Sequence, residues 1–255
     1  MFIDTHCHLT DKYTSDDVDL IIRRAKAANV GAMICATANP HDILPAINVA
    51  QRHDNVFVTV GIHPDYCDVN VDDYLTDEIL NNPLVIGVGE IGLDYHNNAQ
   101  TRDAQIKLFE KQLEIAYKHN MPVAIHTRDA EDDTCAILSD KYFGVMHCFT
   151  ASWDMAKVML NRGFYFSASG ILTFKNADSI RETFAKIPTD RIVIETDSPY
   201  CAPVPYRGKT CEPAFIIETA RVLAQIKNLS MGELEKILFE NKKRLYPKIE
   251  LYHNA

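Results

Sequence analysis

The chain has 255 residues, a length that one α/β barrel fills as a single domain, and 47% of them are hydrophobic, enough for a substantial core. A net charge of −9, from 26 Lys and Arg against 35 Asp and Glu, excludes a broad basic surface for duplex nucleic acid, though not a local site for a strand end where bound cations supply the positive charge. No apolar run approaches the ~20 residues of a membrane span. The start lacks a secretory signal pattern, and the seven cysteines are scattered with no C-x-x-C pair, so free thiols in a reducing cytoplasm are expected rather than a disulfide framework or a zinc ribbon.

Short β-rich runs recur, separated by helical stretches. MFIDTH opens the chain, followed by GAMICA (31–36), VFVTVGI (56–62), LVIGVGEI (84–91), PVAIHT (122–127), GVMHCF (144–149), GFYFSAS (163–169) and RIVIETD (191–197). Their continuous apolar character fits parallel strands buried on both faces. Residues 15–28 place Val18, Ile21, Ile22, Ala25 and Ala28 on one helical stripe, and residues 101–118 do so with Ile106, Phe109, Leu113, Ala116 and Tyr117. The gaps after strands two, three, five, six and seven also read as helices, with Pro45 a disturbance in the first of them. Pro213 can start a helix reaching Ile226, and S-M-G-E at Ser230–Glu233 forms a capping box for a last one. Eight strand–helix units predict a (β/α)8 TIM barrel with an extra C-terminal helix, one domain over residues 1–255.

In such a barrel the reactive groups gather at the C-terminal strand ends. Strand one ends at His6 and His8, which share a face because side chains alternate along a strand. By the same alternation Cys7, and Cys148 after His147, face the opposite side as core thiols. Strand four ends at Glu90, strand five at His126, strand six at His147 and strand eight at Asp197. A lone strand-end histidine is usually structural, and an H-x-H pair can be two satisfied polar residues. Four histidines and two carboxylates at one rim are too many for one cation with an open position, and suit two. Glu90 is the natural bridge between divalent ions about 3.5–4 Å apart. One ion would take His6, His8 and Asp197; the other, His126 and His147. Two divalent ions against two carboxylates leave about +2 at the mouth, which favours a phosphate or the oxyanion of an ester or amide reaction.

Other groups fall near the same rim. His63, in GIHP, touches substrate or makes a structural hydrogen bond, and His96 is similarly open. Arg128, Lys175, Arg207 and Lys209 supply positive charge. Arg207 lies in the long Pro-rich loop after strand eight and can fork onto a phosphate. His41, His53, His119 and His253 are expected at the surface.

The motifs DTHCHL, GIHP, GEIGLDY, IHTRDA, HCFT, ETDSPY and RGKTCEPAF, in this order from Asp4 onward, resemble the TatD-type metal-dependent DNases of the amidohydrolase superfamily. The resemblance implies a TIM barrel with a two-metal site on His6, His8, Glu90, His126, His147 and Asp197. It implies Mg2+ as the cation, and the donor set would also accept Mn2+ or Zn2+. It further implies cleavage of DNA phosphodiesters, removing nucleotides from the 3′ end; the acidic surface adds a preference for single strands or frayed ends. Asp197 is the expected general base and Glu90 the bridge, with His63, Arg128 and Arg207 contacting substrate. The ENKKRLYP ending departs from the family's usual EN-x-x-RLF, and TDKY departs after the first motif. Both bear on packing or substrate contacts and not on the ligands. The same superfamily holds C–O and C–N hydrolases, including aminoacyl-tRNA deacylases. Many of those amidases and lactonases bridge their metals with a carboxylated lysine, where this sequence has Glu90. A non-catalytic binding scaffold would have lost ligands, and none is missing.

Overall fold

Strands buried on both faces must be covered by helices and joined by crossovers, and the computed structural model, which describes residues 1–12 and 17–252, has this form. Eight parallel strands pair in chain order: β1 (Phe2–Cys7), β2 (Val30–Ala36), β3 (Val56–Val60), β4 (Val85–Asp94), β5 (Val123–Arg128), β6 (Gly144–Met146), β7 (Tyr165–Ala168) and β8 (Ile192–Ile194). The seam between β1 and β8 is closed largely by side chains. Thr5 Oγ1 donates to the Ile194 carbonyl at 2.9 Å, and Asp4 Oδ1 accepts from Thr196 N at 2.9 Å. Past the strand ends, Asp197 N donates to His6 O and His8 N to Ser198 O.

Around the sheet lie α1 (Val18–Ala27), α2 (Ile43–Arg52), α3 (Asp77–Leu80), α4 (Tyr95–Asn98), α5 (Arg102–Lys118), α6 (Glu131–Ile137), α7 (Trp153–Asn161), α8 (Asp178–Lys186), α9 (Ile216–Lys227) and α10 (Met231–Leu245). Pro45 falls in the first turn of α2, where its missing N–H costs nothing. The expected capping box is present: Ser230 and Glu233 satisfy each other's backbone N–H at the start of α10. The helix expected after strand three is a single turn, α3, preceded by two 3-10 turns. The start of the predicted 15–28 helix, and His253, lie outside the described residues.

Helix α5 departs from the expected stripe at Tyr117 and at two glutamines. Tyr117 is exposed, not part of the core stripe, and the buried stripe is Gln105, Leu108, Phe109, Gln112, Leu113 and Ala116. The two glutamines are buried because they replace ladder partners where neighbouring strands end. Gln112 bonds both N and O of Ile62, and Gln105 both N and O of Asp94, at 2.8–3.0 Å.

The barrel holds two apolar layers. Strand residues facing the helices form the outer core. Inside the barrel, Ile3, Ile34, Phe57, Val145 and Tyr165 pack with Leu245, Tyr246 and Ile249, which plug the N-terminal end. The LYP departure at the chain's end is thus a packing feature.

Candidate metal centre

Simple alternation from Ile3 would turn His6 away from the barrel interior. Ile3 packs inside, and Cys7, an even number of residues on, packs in the outer core. The reversal comes from a register shift in β1 between Asp4 and Cys7, where three residues oppose two of β2. The bulge sends both His6 and His8 inward. A second shift, between Val88 and Ile91 of β4, does the same for Glu90: Val88 and Ile91 both lie in the outer core although three residues apart. Gly92 makes this possible. At φ +148°, its missing Cβ would stand 1.9 Å from the His126 carbonyl, so only glycine lets β4 pass this close to β5.

The structure brings His6, His8, Glu90, His126, His147 and Asp197 together, and Glu90 sits between two pairs of histidines. Its Oε1 lies 2.8 Å from both His126 Nδ1 and His147 Nε2. Its Oε2 lies 3.5 Å from His6 Nε2 and 3.6 Å from His8 Nε2. Asp197 Oδ1 approaches the second pair, 3.3 Å from His8 Nε2 and 4.0 Å from His6 Nε2. Asp197 does not end a strand as expected: β8 stops at Ile194, and Asp197 is held at φ +56° in the following loop.

On three of the four rings the outer nitrogen is fixed by a partner, which settles which nitrogen faces inward. His8 Nδ1 bonds the Ala36 carbonyl at 3.0 Å, His147 Nδ1 meets Glu195 Oε1 at 3.3 Å, and His126 Nε2 meets Asp94 Oδ2 at 3.1 Å. His126 therefore offers Nδ1 where the others offer Nε2. Asp94, with Gln105 behind it, is a positioning residue that the sequence did not single out; Glu195, which in the sequence rivals Asp197 as the base from two residues deeper on the strand, is a positioning residue as well. The signal was available for Gln105 and Gln112: two glutamines seven apart on an otherwise apolar helical face. Asp4 was likewise unassigned. Full burial pushes its pKa up to about 8, and its carboxyl stitches β1 to Thr196.

Burial opposes charge throughout the cluster, and pairing decides the outcome. For Glu90, burial works against ionisation, but the charge of His147 and bonds from His126 and His147 hold its pKa well below the usual carboxylate range. Burial lowers the pKa of His8, yet the bond to Asp197 and the charges of Glu90 and Asp197 outweigh it and hold it at about 9. The same balance raises His147 and His126. His6 is the exception: burial and the neighbouring His147 charge depress it, favouring the neutral ring. Both nitrogens of His6 are buried with no hydrogen-bond partner, and the open Nε2, which faces Glu90 and Asp197, is what a ligand requires. A donor set of imidazoles and carboxylates with a central bridging oxygen pair fits divalent cations.

The residues expected to touch substrate are placed unequally. His63 reaches the cluster, with Nε2 3.9 Å from Glu90 Oε1 and its ring edge-on to His126, while its Nδ1 accepts from Asp65 N. Arg128 is exposed at the end of β5. Arg207 is exposed too, with its guanidinium 3.7 Å from the centre of the Phe174 ring. The two line a cleft of about 490 Å³ with Tyr200, Cys201 and Lys209, and this cleft adjoins the Asp197 loop. A larger cleft of about 930 Å³ flanks α5 at Asp72, Arg102 and Lys107 and contains none of the six clustered residues. His96 bonds Asp129 at 2.8 Å on the rim. His41 is exposed, His53 pairs with Asp19 and His119 with Asp77 on the flanks.

Cys7 is a core thiol as expected; Cys148 is not. β6 ends at Met146, so alternation no longer governs Cys148, whose φ of +41° turns it toward the mouth.

A family model described as TatD related DNase matches residues 3–247. The chain is 36% identical to the "Uncharacterized metal-dependent hydrolase YabD" of Bacillus subtilis over 252 residues, 96% of this chain and 99% of that protein. It is 37% identical to the "Uncharacterized metal-dependent hydrolase YcfH" of Escherichia coli, covering 96% and 95%. Among solved structures, a TatD homolog from Escherichia coli, YJJV, superposes with a TM-score of 0.89 at 26% identity over 96% of this chain and 98% of that one.

Proposed function

Because the chain belongs to the TatD family of metal-dependent hydrolases, we propose that it hydrolyses DNA phosphodiesters, as a 3′–5′ exonuclease on single strands or frayed ends. The observation that carries this reading is Glu90, whose two oxygens face two separate histidine pairs. His6, His8 and Asp197 would hold one divalent cation and His126 and His147 the other, with Glu90 common to both. Mg2+ suits the carboxylates, and Mn2+ or Zn2+ the imidazoles. Such a pair supplies Lewis acidity and lowers the pKa of water toward neutrality.

The chain's own residues do the rest. Asp197, in the loop beside the 490 Å³ cleft, is oriented to accept a proton from the attacking water and return it to the leaving sugar oxygen. Glu195 is fully buried and committed to His147 Nδ1 and Cys148 N, which removes it as a rival base. His63 flanks the Glu90 and His126 side, where a phosphate oxygen would sit. Arg207, stacked on Phe174, and Lys209 give the cleft cationic and aromatic walls, a pairing that suits unstacked nucleotides. Arg128 stands further out as a backbone contact. The net charge of −9 disfavours long duplex and favours ends.

End-labelled single-stranded and duplex DNA, incubated with and without chelator, tests the proposal. Metal-dependent, stepwise shortening from the 3′ end, faster on single strands, is expected. Inert DNA with turnover of an aminoacyl ester would assign the chain to ester chemistry instead.

A further inference from the structure

The two oxygens of Asp197 serve different neighbours. Oδ1 faces His8 and His6, as described. Oδ2 accepts from the Cys201 thiol at 3.4 Å. Cys148 completes the group: its Sγ, the Cys201 Sγ and an Asp197 carboxylate oxygen all lie within 4.8 Å of one another. The three residues come from two loops, one after β6 and one after β8. All three have left-handed backbone, with φ of +41° at Cys148, +56° at Asp197 and +53° at Cys201. That conformation is unfavourable for residues with a Cβ. Here it turns two thiols and a carboxylate oxygen toward one point. The proposed hydrolysis uses neither thiol.

We propose that Cys148, Cys201 and Asp197 Oδ2 form a further cation site, for a soft divalent ion of the zinc and cadmium class. Thiolates select such ions over Mg2+. With metal–sulfur distances near 2.3 Å and metal–oxygen distances near 2.0–2.2 Å, tetrahedral donors stand about 3.5 Å apart. The 3.4 Å between Cys201 Sγ and Asp197 Oδ2 matches that spacing. Ser169 Oγ, 3.1 Å from Cys148 Sγ, accepts from the thiol and is placed to donate to a thiolate instead. Binding releases both thiol protons to the buffer, so two thiolates neutralise the ion and the charge of the mouth is unchanged.

The site shares Asp197 with the His6 and His8 pair. A soft ion on Oδ2 removes that carboxylate from proton transfer and so inhibits the hydrolase. This regulatory consequence rests on the proposed function; the site itself does not.

Cadmium titration of the reduced, Mg2+-saturated protein separates the two. A thiolate-to-cadmium charge-transfer band in the ultraviolet is expected to saturate near one ion per chain. It should fall by half or more in either Cys148→Ser or Cys201→Ser, both folded by circular dichroism. Cys67→Ser, a thiol outside the trio, should leave it intact. A missing band in the parent protein, or an undiminished one in both variants, overturns the site. In the DNA assay, excess Zn2+ should inhibit the parent protein and spare Cys201→Ser. Equal inhibition of both overturns the regulatory role. A protein that gives the band but cuts no DNA refutes the nuclease reading and leaves the site standing.

Discussion

At the N-terminal end of the barrel, Leu245, Tyr246 and Ile249 close over an interior of Ile3, Ile34, Phe57 and Val145. At the C-terminal end, strands and the loops that follow them deliver four histidines and two carboxylates that are almost as deeply buried. The floor is held chiefly by apolar burial, which needs mainly shape. The mouth holds buried ionisable groups that are tolerable only in mutual pairing, on two bulged strands and several left-handed residues. The contrast separates stability from function: the floor should answer substitution in melting temperature, the mouth in metal content and rate.

Asp197→Asn should break the mouth and leave the floor intact. Loss of the proton acceptor lowers kcat on single-stranded DNA by about 10²–10⁴, with melting temperature and most DNA affinity retained. Full activity in the folded variant would reduce Asp197 to a turn residue.

Tyr246 gives the reverse test. Tyr246→Ala opens a cavity in the interior plug and should cost about 3–5 kcal/mol by denaturant unfolding. Below its melting point it should still bind metal. The Tyr246 hydroxyl is buried with no partner, so Tyr246→Phe should cost nothing and gain up to about 1 kcal/mol. A large loss in Tyr246→Phe would reveal a polar role for the floor.

The mouth should also respond to pH where the floor does not. With its pKa raised to about 9, His8 is protonated at neutral pH in the metal-free protein, and a cation must displace that proton. Metal affinity should therefore climb with pH up to about 9, by about tenfold per unit for each proton displaced. Without metal, the stabilisation from charged His8 is complete below about pH 6.5 and disappears as pH rises through about 9. Calorimetry in buffers of different ionisation heats reads the released protons; pH-independent affinity between 6 and 9 would contradict the pairing.

The smallest effect belongs to Arg207. Arg207→Ala should raise KM for DNA a few-fold and flatten its salt dependence by about one phosphate contact, with stability unchanged. An unchanged KM would leave Arg207 as a surface residue packed on Phe174.

The strand cores and the H-x-H, Glu, His, His and Asp positions were legible because runs buried on both faces mark parallel strands and strand ends collect at one rim. What the sequence hid lies where alternation fails. Nothing in MFIDTHC or VIGVGEI announces a bulge, yet without one His6 and Glu90 would face the helices. Cys148 was misread for the same reason, because its strand ends two residues earlier. The partners of Gln105 and Gln112 are backbone atoms, so the sequence shows two polar residues on an apolar face but not what they bond.

Metal content decides whether Glu90 joins two cation sites. Equilibrated with Mn2+ and freed of excess ion, the parent protein should carry two ions per chain by elemental analysis. Folded Glu90→Gln, which loses the charge and one hard oxygen ligand, should carry fewer than two. Two ions retained by Glu90→Gln at unchanged affinity would contradict the bridge.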